Sequence, residues 1–191
     1  MALVDLEARE VHAKLVYFGP ELSGKTTTLR AIAEGVPAEA RGSLVSIASE
    51  SARTIFSDSL LIDGGDHFGL RLRWHLYTVP GQPRSAGPRE AVLQGADGVI
   101  FVADTTPLRQ AENLASLSEL QALLGKQGRS LDGMAFVLQG NKSDLPGSLS
   151  ATHVARLLGL DQAAAFATSA VSGTGVFDAL RDGSRQVTRR L

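Results

Sequence analysis

Lys14-Leu15-Val16-Tyr17-Phe18 leads without a break into Gly19-Pro20-Glu21-Leu22-Ser23-Gly24-Lys25-Thr26. The first five residues form a compact, mostly apolar run and predict a buried strand. The next eight satisfy the pattern G-x-x-x-x-G-K-[ST], with Thr27 following, and a helix is predicted over 25–34, where Leu29, Ile32 and Ala33 share one face. Glycines let such a turn close tightly enough for successive backbone N–H groups to face an anion. The free N–H groups and positive dipole end of the helix point the same way. Lys25 would bridge β- and γ-phosphates as a mobile point charge, and the Thr26 hydroxyl would ligate Mg2+. Alone, the pattern specifies a nucleoside triphosphate and leaves the base open.

Around this junction, short apolar runs alternate with helical patterns, as in βαβ units. Residues 60–62 and 70–79 flank Asp63-Gly64-Gly65-Asp66, which reads as the turn of an antiparallel hairpin. In its second arm Leu70, Leu72, Trp74 and Leu76 alternate with Arg71, Arg73, His75 and Tyr77, a strand with one face covered. Residues 99–103 and 135–138 are nearly continuous apolar runs, as central parallel strands require. Between them, residues 107–124 carry Leu114, Leu117, Leu120 and Leu124 at helical spacing, with Gly125 and Gly128 suited to ending the helix. A helix over 151–158, a strand over 164–168 and a last helix from Val176 complete the pattern. The expectation is an α/β chain of P-loop NTPase type: three layers, α/β/α, around a mostly parallel six-stranded sheet with one antiparallel edge hairpin. A length of 191 residues fits one domain over 1–191.

Nineteen basic residues against 20 acidic ones argue against bulk electrostatic attraction to nucleic acid or an anionic membrane. The absence of cysteine removes disulfides and thiolate metal sites and fits a reducing cytoplasm. Residues 1–10 mix charges with short apolar groups, unlike a signal peptide, and no apolar run approaches the twenty residues of a membrane span. Ala2 and the ending Arg189-Arg190-Leu191 match neither a myristoylation nor a prenylation signal, so no lipid anchor is expected. His12, His67, His75 and His153 lack metal-ligand spacing, and Trp74 and Phe136 read as packing groups.

Asn141-Lys142-Ser143-Asp144 matches N-K-x-D directly after the strand candidate ending near Gln139. Guanine presents N1–H and N2–H2 side by side, and the Asp144 carboxylate would accept both. Adenine would leave that carboxylate facing a lone pair. Lys142 would lie across the purine face, while Asn141 would tie neighbouring loops together. Thr168-Ser169-Ala170 follows the last strand and, with Val171, would bring a backbone N–H to guanine O6.

The order GPELSGKT, TVPGQ, NKSD, TSA resembles the Ras-like small GTPases. More narrowly, the chain is similar to the bacterial MglA group, which sets cell polarity and gliding motility. The resemblance rests on Leu15-Val16-Tyr17-Phe18-Gly19-Pro20, Arg53-Thr54, the run from His75 to Gln82, Asp97-Gly98-Val99, Asn141-Lys142 and Gly175-Val176-Phe177. It implies that GTP and GDP bind with Mg2+, that Thr54 senses the metal and the γ-phosphate, and that the Gly81 N–H meets that phosphate. It further implies that Gln82 orients the attacking water and that Arg53 acts as an internal arginine finger; a solvated loop charge is the other reading of Arg53. Thr78 stands where most small GTPases place the aspartate that anchors a metal-bound water.

Two departures stand out. Glu21 occupies a position the group fills with glycine, beside the γ-phosphate and the water-orienting glutamine. Either it faces solvent and hydrolysis is slow, or it blocks hydrolysis and leaves a nucleotide-gated interaction module. Secondly, Pro83-Arg84-Ser85-Ala86-Gly87-Pro88, Ser57 and Ser59 replace aromatic residues of the switch surfaces. The resemblance implies a roadblock-fold activator of the MglB type as the partner class, and the lost aromatics imply different contacts, with effectors unidentified. A P-loop kinase or ATPase is a third reading, which Asp144 opposes.

Overall fold

The structure, a computed structural model, describes residues 2–48, 55–80 and 86–191. Strand alternation explains how its sheet faces two ways. In β5 (Leu70–Thr78), Leu72, Trp74 and Leu76 are buried on one face, while Arg73, His75 and Tyr77 stay half-exposed on the other. In β6 (Gly98–Asp104) and β7 (Ala135–Asn141) every residue is buried, as their continuous apolar sequences require. The other strands are β1 (Leu3–Asp5), β2 (Glu10–Phe18), β3 (Val45–Ala48), β4 (Ile55–His67) and β8 (Ala164–Thr168). The sheet order is β3-β4-β5-β2-β6-β7-β8, with β1 antiparallel to β2. Pairings from β5 through β2, β6 and β7 to β8 are parallel; those of β3 with β4 and β4 with β5 are antiparallel.

Five helices among the described residues cover the two faces. α1 (Lys25–Gly35) and α5 (Val176–Thr188) bury Leu29, Ile32, Ala179 and Leu180 against Leu15, Tyr17, Trp74 and Ile100. On the other side, α2 (Ala86–Leu93), α3 (Gln110–Lys126) and α4 (Ala151–Leu157) bury Leu93, Leu120, Leu124 and Val154 against Phe18, Phe101 and Leu138. Each fully buried side chain of this size contributes about 1.5–3 kcal/mol relative to exposure. The three-layer α/β/α architecture is as expected, and Trp74 and Phe136 are core residues.

Three details differ from expectation. The sheet has eight strands among the described residues, not six. β1 is exposed on both faces and so carries no alternation; it pairs with β2 at Glu10–His12, below the point where β6 takes over at Leu15. β3 is only four residues long. Secondly, the hairpin does not turn at Asp63-Gly64-Gly65-Asp66. The strand continues through a bulge there, because Gly64 leaves room for the Trp74 indole: a Cβ would lie 2.5 Å from its Nε1. The chain turns instead at Phe68 and Gly69, with φ of 52° and 79°, the paired positive values of a two-residue turn that matches strand twist. Thirdly, α2 was not expected. Its first turn carries Gly87 and Pro88, and proline is tolerated there because first-turn N–H groups have no intrahelical acceptor.

The C-terminal ends of β2, β5, β6, β7 and β8 are Phe18, Thr78, Asp104, Asn141 and Thr168. They lie along one edge of the sheet, where open parallel sheets bind ligands.

Candidate nucleotide site

The glycine-rich loop leaves β2 with Gly19 at φ 151° and enters α1 through Gly24 at φ 102°. Neither position has room for a side chain. A Cβ on Gly19 would come 2.2 Å from the Val102 carbonyl oxygen, and one on Gly24 would come 2.2 Å from Asn141 Nδ2. Pro20 is buried, Glu21 and Leu22 are exposed, and Ser23 is fully buried with a hydroxyl that has no hydrogen-bond partner among the described residues. The Lys25 ammonium donates to the carbonyls of Gly19 (3.0 Å) and Pro20 (2.7 Å), curled under the loop it belongs to. Burial, and then the Arg89 charge, push its pKa down to about 7, against the pull of Glu21. A buried cation held by two carbonyls is a group awaiting an anion, and this donor set fits a polyphosphate. Thr27 continues the helix, half-buried.

Asn141, at the end of β7, joins three loops. Its Nδ2 donates to the Ser23 carbonyl (2.8 Å), and its Oδ1 accepts from the Ala170 N–H (2.9 Å) and the Thr168 hydroxyl (3.2 Å). Lys142 follows at a positive φ of 69°, and its ammonium pairs with the buried Asp104 carboxylate at 2.6 Å. Burial alone would push Asp104 up, but the Lys142 ammonium and the Thr106 donors outweigh it and hold the carboxyl below its usual range. Asp144 is exposed, Ser169 and Ala170 are buried, and Val171 stands in solvent. The predicted base-reading residues thus flank one another at the ends of β7 and β8, next to the phosphate loop.

At the start of α1, the Thr26 hydroxyl donates to Asp58 Oδ2 at 2.5 Å. Asp58, on β4, is 4% exposed. Its Oδ1 accepts from the Ser46 hydroxyl (2.7 Å), its Oδ2 from the Thr78 hydroxyl (3.2 Å), and its own N–H donates to Thr78 Oγ1 (2.8 Å). A buried carboxylate therefore stands between the hydroxyl at the helix start and Thr78. Hydroxyl and carboxylate oxygens together suit a hard divalent cation.

Residues 1–187 match the model of the ADP-ribosylation factor family. The chain is a small GTPase of that family. It is 38% identical over 191 residues to the mutual gliding-motility protein MglA of Myxococcus xanthus (strain DK1622), spanning all of this chain and 98% of that one. ADP-ribosylation factor-like protein 8d of Arabidopsis thaliana is 28% identical over 157 residues, 82% of this chain and 77% of that protein. ADP-ribosylation factor-like protein 6 of Caenorhabditis elegans is 26% identical over 125 residues, 63% and 65% of the two chains. This GTPase is accordingly MglA-like, a GTP-binding regulatory switch and a GTP hydrolase. No helix among its described residues is long and apolar enough to cross a membrane.

Four predicted residues of the GTPase, Arg53, Thr54, Gly81 and Gln82, lie outside the described residues. Glu21 is exposed, and its carbonyl accepts from Arg109 Nη2 at 3.0 Å. Sequence reasoning missed Asp58, Asp104 and Arg109. Asp58 had a signal: it is in phase with Leu60 and Ile62, which face the core, so a carboxylate sits at an inward position.

Proposed function

We propose that this small GTPase is a GTP·Mg2+-dependent switch with slow, activator-dependent hydrolysis, built as one GTPase domain over residues 1–191. The observation that carries the proposal is the Asn141 side chain, which ties the phosphate loop to the 168–170 loop beside Lys142 and Asp144. That tie would hold a guanine reader and a phosphate cradle at fixed separation. Asp144 would accept the guanine N1–H and N2–H2, with the Lys142 stem on the ring and the N–H groups around Ser169, Ala170 and Val171 near O6. Lys25 would exchange its two loop carbonyls for phosphate oxygens.

Thr26 and Thr54 would hold Mg2+, with Asp58 supplying behind Thr26 the negative charge that Thr78 lacks. Held there, Mg2+ would supply positive charge to offset the negative charge that develops during phosphoryl transfer. Gly81 would donate its N–H to the γ-phosphate, Gln82 would orient water and Arg53 would offset developing charge. Contacts from Thr54 and Gly81 to the γ-phosphate would make their segments the switch, since hydrolysis would remove those contacts. By likeness to a protein named for gliding motility, the process switched is cell polarity and gliding, in the cytoplasm. A roadblock-fold, MglB-like dimer is the proposed activator.

A second reading has its own observation. Glu21 sits on the phosphate loop and its charge raises the Lys25 pKa, so it would also oppose a γ-phosphate bound there. If it prevents turnover, the protein is an interaction module gated by nucleotide binding. Single-turnover phosphate release from GTP, with Mg2+, separates the two. Glu21→Gly is expected to raise the rate at least severalfold. Release from neither protein, with or without an MglB-like dimer, sinks the hydrolytic reading; equal rates remove the obstructive role of Glu21.

A further inference from the structure

Beside the phosphate loop, on the side facing α2 and α3, lies a cavity of about 320 Å3. Glu21, Arg89, Arg109, Glu112, Ser116 and Glu119 are among the residues that line it. The two guanidiniums are engaged. Arg89 pairs with Glu119, donates to the Pro80 carbonyl at 2.8 Å and lies 5.7 Å from the centre of the Phe18 ring. Arg109 donates to Glu112 Oε1 at 2.9 Å and to the Glu21 carbonyl at 3.0 Å. Two polar atoms are not engaged: Glu112 Oε2 and Ser116 Oγ are buried and have no hydrogen-bond partner among the described residues. They are four residues apart on α3, hence neighbours on one helix face, and Ser116 is only 6% exposed. Buried acceptors are seldom left without a donor, and an ionised oxygen least of all.

We propose that this cavity is a binding site for a small organic cation with a guanidinium or primary ammonium head group. Glu112 Oε2 and Ser116 Oγ accept its N–H groups, and the surrounding carboxylates outnumber the guanidiniums by three to two. An anion would meet the Glu21, Glu112 and Glu119 carboxylates, while the two guanidiniums that could offset them are already engaged. A neutral apolar group would leave both acceptors as they are. The volume accommodates such a head group on a short aliphatic chain. Because Arg109 joins Glu112 to the Glu21 carbonyl, the occupied site touches the phosphate loop. The cation also offsets the Glu21 charge and so raises the hydrolysis rate; this second effect rests on the hydrolytic reading above.

The test is titration of the full-length, GDP·Mg2+-loaded protein with agmatine, followed by calorimetry and by amide chemical shifts. One saturable site is expected, with shifts centred on residues 109–119 and Glu21. N-butylurea, uncharged, should not bind. Glu112→Gln, which keeps the shape, and Ser116→Val should each weaken agmatine binding about tenfold, with GDP affinity unchanged. Absent saturation, equal binding of the urea, or variants indistinguishable from the parent each overturn the site. In single-turnover assays agmatine should accelerate the parent and leave Glu21→Gly unaffected; saturable binding with no acceleration overturns the coupling. Absence of hydrolysis under every condition, with agmatine binding intact, refutes the hydrolytic reading and leaves the cation site standing.

Discussion

In the proposed metal site, Asp58 would keep the chemistry while moving the residue that supplies it. In this chain the end of β5 carries Thr78, and the neighbouring strand β4 supplies the carboxylate that meets Thr26. Removing its charge while keeping its shape should weaken the metal and leave the loop intact. For Asp58→Asn, the Mg2+ concentration that half-protects bound fluorescent GDP from release is expected to rise about tenfold, the loss of one charge-assisted interaction. An unchanged Mg2+ dependence would remove Asp58 from the metal site. Asp144 is proposed to act on the base instead. It is exposed and would bind through two donors that adenine lacks. Asp144→Asn should reduce the preference for GDP over ADP by at least about tenfold in competition binding; a preserved preference would place base selection elsewhere.

Elements transmit what these residues do, and the seam between β2 and β5 carries a titratable contact. His12 Nδ1 and His75 Nε2 lie 2.9 Å apart across it, with Glu10 3.3 Å from the other His12 nitrogen and Lys14 over the Tyr77 ring. Burial, and then the His12 and Lys14 charges, lower the His75 pKa. The folded state thus prefers neutral His75 more than the unfolded chain does. Its contribution is complete above the ordinary histidine value of about 6.5 and is lost as pH falls through the lowered folded value. Thermal melts of the parent should fall in midpoint between pH 7 and pH 5 more steeply than those of His75→Gln. Parallel curves would show that this seam does not sense pH. The same seam leads on one side into the Gly19 loop and on the other to Thr78 and Val79.

At the scale of the whole molecule, the site is an edge where five strands end and where one buried side chain holds three loops in register. Asn141→Ala would leave the Ser23 carbonyl, the Ala170 N–H and the Thr168 hydroxyl without that partner. Each unsatisfied buried group costs about 1–3 kcal/mol. GDP should dissociate at least about tenfold faster, with a lower melting temperature; a normal off-rate would show that the loops hold themselves. Much of this was legible beforehand. Local chemistry within eight consecutive residues required the phosphate loop, and hydrophobic period alone separated the strands from α1, α3 and α5. β1, β3 and α2 were not legible, because exposed or four-residue strands and a helix opening on glycine and proline carry little period. The turn at Phe68 and Gly69 escaped because Gly64 answers to Trp74, ten residues along the chain and opposite only once the strands pair. Nucleotide class, base and family were therefore determined by the sequence itself, since each depends on residue types at short spacing. Tertiary structure alone decided that Asp58 stands behind Thr26, that Asn141 joins three loops, and that Arg109 reaches Glu21. Those contacts link residues 32, 118 and 88 positions apart, and only the packing of strand ends brings them within hydrogen-bond range.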